Sequence, residues 1–126
     1  MNWPLFFAGI LAAFTTVGHF VIGSKNFLTP VLETSIEEVP KKVMHCLFHY
    51  ISAYQVLSSL VLIALGFSSQ LRVEAILLAK FIAIQYAAFA VIQIIIALSS
   101  KISHGVIKLF QWTFFIVIAV LTWLGL

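Results

Sequence analysis

The chain has 126 residues, of which 63% are hydrophobic and only 9% charged, and its mean hydropathy is +1.15. Soluble domains carry roughly 25% charged and roughly 45–50% apolar residues, and an interior of this size has no volume for such an excess. A water-soluble domain is therefore excluded, and residues 1–126 are expected to form a single transmembrane domain of all-α class. The formal net charge of +3 comes from seven basic residues placed singly between apolar runs, which excludes a nucleic-acid stripe and points to a lipid bilayer as the partner.

A helix needs roughly 20 apolar residues to cross a hydrocarbon core of roughly 30 Å, and four stretches meet that length. The first covers about residues 5–22, opened by Trp3 and Pro4 and closed by Gly23, Ser24, Lys25 and Asn26. It has no basic residue before it and no small-residue cleavage pattern after it, so it reads as a retained span and not as a secretory signal. A loop at 24–40 follows, with Pro30, Glu33, Glu37 and Glu38 mixed with Phe27, Leu28, Val31, Leu32 and Ile36. Its apolar residues are expected to lie along the interface as a short helix.

The second span, about 42–65, is the least apolar and holds His45, His49, Ser52, Gln55, Ser58 and Ser59. The third covers about 74–98, with Lys80 near its start, and the fourth about 104–123, opened by His104 and carrying Trp112 and Trp123. Short connections make successive helices antiparallel neighbours, so the expected architecture is an up-down four-helix bundle. The side with loops one and three holds Lys25, Lys41, Lys42, Lys101 and Lys108, against Arg72 and at most Lys80 on the other. The positive-inside rule then puts those loops in the cytoplasm and both termini outside, in an inner membrane.

Candidate chemistry gathers at the cytoplasmic side, where this topology brings the four histidines. His45 and His49 are spaced i, i+4 and project from one helical face, a spacing that lets two imidazoles meet one ion. Ser52, Val56 and Ser59 continue that face. His19 lies at a similar depth on the first span, so His19 and His49 are expected to face each other with Ser52 close by. Imidazole suits zinc, copper, nickel and iron, and the cluster of His19, His45 and His49 is a candidate site for a divalent transition metal or an axially ligated haem. Hydrogen bonds that merely join two helices are the bland alternative. His104, beside a loop, is expected to be solvated.

No carboxylate lies within a span, which counts against a proton-coupled antiporter and against a di-iron site of Glu-x-x-His pairs. The lone Cys46 forms no disulfide within the chain and reads as a small apolar filler. Gln85, Tyr86 and Gln93 are polar groups at depth in span three, expected to hydrogen-bond between helices, with Gln93 supporting the site. No nucleotide loop, nucleophile elbow or HExxH pair appears, so no catalytic residue is nominated.

The segments Gly18-His19-Phe20-Val21-Ile22-Gly23, Pro30-Val31-Leu32 and Phe48-His49-Tyr50-Ile51-Ser52 resemble a family of small, functionally uncharacterised bacterial four-span proteins. That family carries a G-H-x-x-x-G motif ending helix one, a P-L-L-like loop and a W-H-x-x-S-like motif in helix two; here Phe48 replaces the tryptophan and Val31 a leucine. The resemblance covers roughly residues 9–66 and implies that His19 and His49 are the paired positions. It supplies no activity. Three functions stay open: a binding protein for metal or haem, a transporter or channel component gated by the histidines, and an accessory subunit packed against a larger membrane partner or a second copy of the chain.

Overall fold

A computed structural model describes all residues, Met1–Leu126. Every regular element is helical: α1 (Trp3–Gly18), a π-helical segment (His19–Leu28), α2 (Thr29–Glu33), α3 (Glu38–Gly66), α4 (Val73–Ser99), α5 (Gly105–Lys108) and α6 (Trp112–Leu124). Asn2 caps α1 by accepting from Leu5 N–H, and Pro4 falls in the first turn, where its missing donor costs nothing. Three helices are long and apolar enough to cross a membrane: Trp3–Glu33, Glu38–Gly66 and Val73–Ser99.

The first helix does not end near Ile22. The chain keeps helical geometry through Gly23, Ser24 and Asn26, passing into the wider π turn and then α2, and it breaks only at Thr34. The expected loop at 24–40 is thus mostly a continuation of helix one, with a short non-helical stretch before α3 opens at Glu38. Gly23, expected to close the helix, sits within the π-helical segment without a positive φ and is buried. The last apolar stretch is interrupted instead. His104 takes the left-handed conformation (φ 57°), α5 lasts four residues, and α6 has thirteen.

Specific contacts fix the pairing of the long helices. Asn2 N–H donates to Gly66 O, Gly9 lies against Ile63, and His19 meets Ser52, so α1 runs antiparallel to α3. Gly105 lies against Ala97, Gln93 bonds Gln111 and Tyr86 meets Phe115, so α6 runs antiparallel to α4. Asn2 Nδ2 donates to Gly125 O at 2.6 Å, tying α1 to the end of α6. Between α3 and α4 the backbones stand apart, and Tyr54, Tyr86 and Phe89 fill the gap with rings 5.4–6.1 Å apart.

Close approach explains two glycines. A Cβ on Gly66 would lie 2.6 Å from Phe6 Cα, and one on Gly9 would lie 2.6 Å from Ile63 N. Small residues of this kind let helices pack backbone to backbone where solvent gives no hydrophobic push.

The outer surface is largely apolar, and the interior combines an apolar core around Leu5, Leu62, Tyr86 and Ile118 with several polar groups. Only 23 of 126 residues are buried, among them Thr16, Ser52, Gln55, Ser58, Ser59 and Thr122, while Phe14 (75% exposed), Leu57 (63%) and Leu98 (70%) face outward. Most of the buried hydroxyls bond back to their own helix: Thr16 to Ala12 O, Ser59 to Val56 O, Thr122 to Ile118 O. Such bonds satisfy a polar group without water.

Candidate functional site

Two separate histidine groups form where one was expected. His19 opens the π segment and turns its ring onto α3, stacking flat on Phe48 with centroids 4.0 Å apart and planes 19° from parallel. Its Nε2 lies 3.0 Å from Ser52 Oγ and 3.2 Å from Phe48 O. The Ser52 hydroxyl donates to that same carbonyl at 3.0 Å. A carbonyl can only accept, and a hydroxyl whose hydrogen is so used accepts as well, so Nε2 of His19 carries the proton and donates to both. The other nitrogen, Nδ1, faces Gly23, where an added Cβ would lie 3.7 Å away. Phe48 thus covers one face of His19 and borders Gly23, where an added Cβ would meet its ring at 3.4 Å, an ordinary contact distance.

His45 and His49 face elsewhere. Their Nε2 atoms stand 3.1 Å apart across one turn of α3, with rings 4.9 Å apart. His49 is exposed and His45 half-buried. The buried edge of α3 runs Ser52, Gln55, Ser59, Leu62, Gly66, and one turn earlier it meets Phe48. His49, one residue on, is rotated about 100° out of that edge. The expected face of His49, Ser52, Val56 and Ser59 is thus out of phase: Ser52 and Ser59 are inside, whereas His49 and Val56 are outside.

The three-histidine centre is accordingly corrected. No group of three or more His, Cys, Asp or Glu side chains is placed to hold a metal, because His19 spends its Nε2 proton on α3 while the other pair looks outward. His19 bonds Ser52 as expected of a neighbour at that depth, but it does not bond His49. A haem with two axial imidazoles also fits poorly, since axial ligands approach from opposite faces and His45 and His49 rise from the same side of one helix.

The remaining candidates are placed as follows. Gln93 Nε2 donates to Gln111 Oε1 at 2.7 Å, joining α4 to the start of α6, so its role is interhelical and not in the histidine site. Trp112 Nε1 donates to Val106 O at 3.0 Å and closes the break after α5. Cys46 is exposed and fills nothing. His104 is exposed, as expected of a loop residue. Tyr86 bonds Ser58 at 2.9 Å across the α3–α4 gap. Sequence reasoning missed the stacking role of Phe48, which lies four residues before Ser52 on the same edge of α3. It also missed that Gln55 Oε1 and Tyr54 Oη are buried without a partner.

Comparison with protein-family models, curated proteins and solved structures finds no match to this chain.

Proposed function

We propose that this chain is a multi-pass integral membrane protein that binds a divalent transition metal at the His45–His49 pair, at the cytoplasmic edge of the bilayer. The membrane part of the reading is supported by the apolar outer surface and by three helices long and apolar enough to cross a bilayer. Apolar side chains such as Phe14, Leu57 and Leu98 point outward while serines and a glutamine sit inside, an arrangement that water would penalise and lipid favours. In this reading α1, α3, α4 and α6 form an antiparallel four-helix transmembrane bundle. The thirteen residues of α6 reach only about 20 Å at about 1.5 Å each. The preceding break completes the crossing, its freed polar groups met by Gln93–Gln111 and Trp112–Val106.

Helix length supports a depth for the histidines. The continuous helix Trp3–Glu33 has 31 residues and α3 has 29, about 46 and 43 Å at about 1.5 Å per residue, against a core of roughly 30 Å. With Trp3 and Gly66 at one surface, His19 and His49 lie about 24 and about 26 Å deep, both just inside the other surface, and His45 falls at its edge. The basic residues Lys25, Lys41, Lys42, Lys101 and Lys108 lie toward that end, which supports a cytoplasmic orientation for it under the positive-inside rule.

The single observation that carries the metal reading is the 3.1 Å separation of the two Nε2 atoms. Imidazole nitrogens lie about 2.0–2.1 Å from zinc, so one ion bridging this pair would subtend an angle of about 100°, between the square and tetrahedral values. Both nitrogens can offer lone pairs once the shared proton moves to Nδ1 of its own ring. The adjacent Lys41 ammonium is turned to Glu38 at 3.2 Å. Equilibrium dialysis of the detergent-solubilised protein against zinc, followed by elemental analysis, tests the reading. Bound zinc that is lost in both His45→Ala and His49→Ala but kept in His19→Ala is the expected result; retention in His49→Ala refutes it.

A further inference from the structure

A pair of imidazoles is half of a coordination shell. A tetrahedral ion takes four donors, and within this chain no third His, Cys, Asp or Glu stands with His45 and His49. Cys46, one residue along, is rotated about 100° from His45. We infer that the shell is completed by His45 and His49 of a second copy of the chain, so that one metal sits on the two-fold axis of a homodimer; the inference rests on the metal reading above.

The first support is the direction of the pair. α1 covers the Phe48 and Ser52 edge of α3, which leaves His49 on an outward face that no part of the same chain covers. The second support is what continues that face. Ala53, Val56, Leu60 and Ala64 follow His49 at intervals of three and four residues, and all are exposed. Together they make a ridge of small and branched side chains on which a second α3 can pack closely. The third support is symmetry. Copies inserted with the same topology can form a closed, isologous pair only about an axis along the membrane normal. Such an axis holds identical residues at identical depth. Two α3 helices meeting on this ridge therefore bring two His45–His49 pairs to one level, where four Nε2 atoms converge on one ion.

The experiment is metal stoichiometry and mass measured together on the purified full chain in detergent, with zinc alone as the probe. The expected result is one zinc per two chains and a dimer mass by light scattering, reverting to monomer with EDTA and in His49→Ala. A second variant, Val56→Trp, leaves both histidines in place and obstructs the ridge. It should lower zinc affinity by more than the roughly 10–100-fold that loss of a supporting group costs. One zinc per chain on a monomer overturns the second copy while leaving the metal reading intact. No bound zinc in the unaltered chain overturns both. A dimer that persists unchanged in EDTA and in His49→Ala overturns the claim that metal links the copies.

Discussion

Ser52 holds the α1–α3 contact together at its histidine end, because it both donates to Phe48 O and accepts from His19. Ser52→Ala should cost about 0.6 kcal/mol and no more than about 1.7, the range for interhelical hydrogen bonds in membranes. His19→Ala should cost more, since the ring stacked on Phe48 at 4.0 Å is lost too, and such aromatic pairs add roughly 0.5–1.5 kcal/mol. Denaturation of both variants in mixed micelles ranks them; equal costs would mean that the stack contributes nothing. At His104 the cost lies in the backbone. Its φ of 57° is left-handed, a conformation that costs a residue with a Cβ about 1–2 kcal/mol. His104→Gly should therefore raise stability by about 1 kcal/mol in the same assay, and a loss would show that the exposed imidazole makes a contact of its own.

Packing between helices sets the next scale. Gly66→Ala would drive a Cβ to 2.6 Å from Phe6 Cα, a backbone atom with nowhere to go. It should destabilise by about 1–3 kcal/mol, as overpacking does. Gly18→Ala is the control: nothing lies within 4 Å of its added Cβ, and alanine gains about 0.5–1 kcal/mol over glycine inside a helix. Opposite signs for the two substitutions, read by thermal melting in detergent, are expected, and equal signs would refute the register of α1 against α3. Gln55 gives a third test at this scale. Its Oε1 is buried without a partner, so Gln55→Met, close in shape and without the orphan carbonyl, should stabilise by about 1–3 kcal/mol. A loss instead would reveal a polar group or water that Gln55 serves.

Helix existence was legible at this scale and helix boundaries were not. The third helix, expected over 74–98, runs Val73–Ser99, because its few polar residues leave a long apolar stretch that ends at the extended residues Arg72 and Ser100. The first is expected to end at Gly23, since glycine commonly closes a helix, yet the chain passes through Gly23 into the π turn and α2 with only ordinary contacts around it. The π turn has no sequence pattern of its own. The histidines failed for a related reason. Depth along the helices was readable from residue counts, but rotation about the α3 axis was not. His49 differs from the buried Phe48–Ser52 edge by a single residue, enough to turn its imidazole from helix one to the outside.

On the scale of the whole molecule, composition points away from a water-soluble domain, and the fold supplies three helices long and apolar enough to cross a membrane, with much of its outer surface apolar. Short connections lead to the expectation that all successive helices are neighbours; α1–α3 and α4–α6 are, but α3 and α4 stand apart with Tyr54, Tyr86 and Phe89 between them, and α1 packs on α6 instead. The central claim is that the bilayer surrounds this fold with the His45–His49 end in the cytoplasm. The single cysteine, Cys46, is exposed beside that pair and reports on it without any substitution. Labelling with a membrane-impermeant maleimide in sealed vesicles of both orientations is the most direct measurement. The account predicts that Cys46 reacts in inside-out vesicles and is protected in right-side-out vesicles until detergent is added. Reaction in right-side-out vesicles, or protection in both, would contradict it.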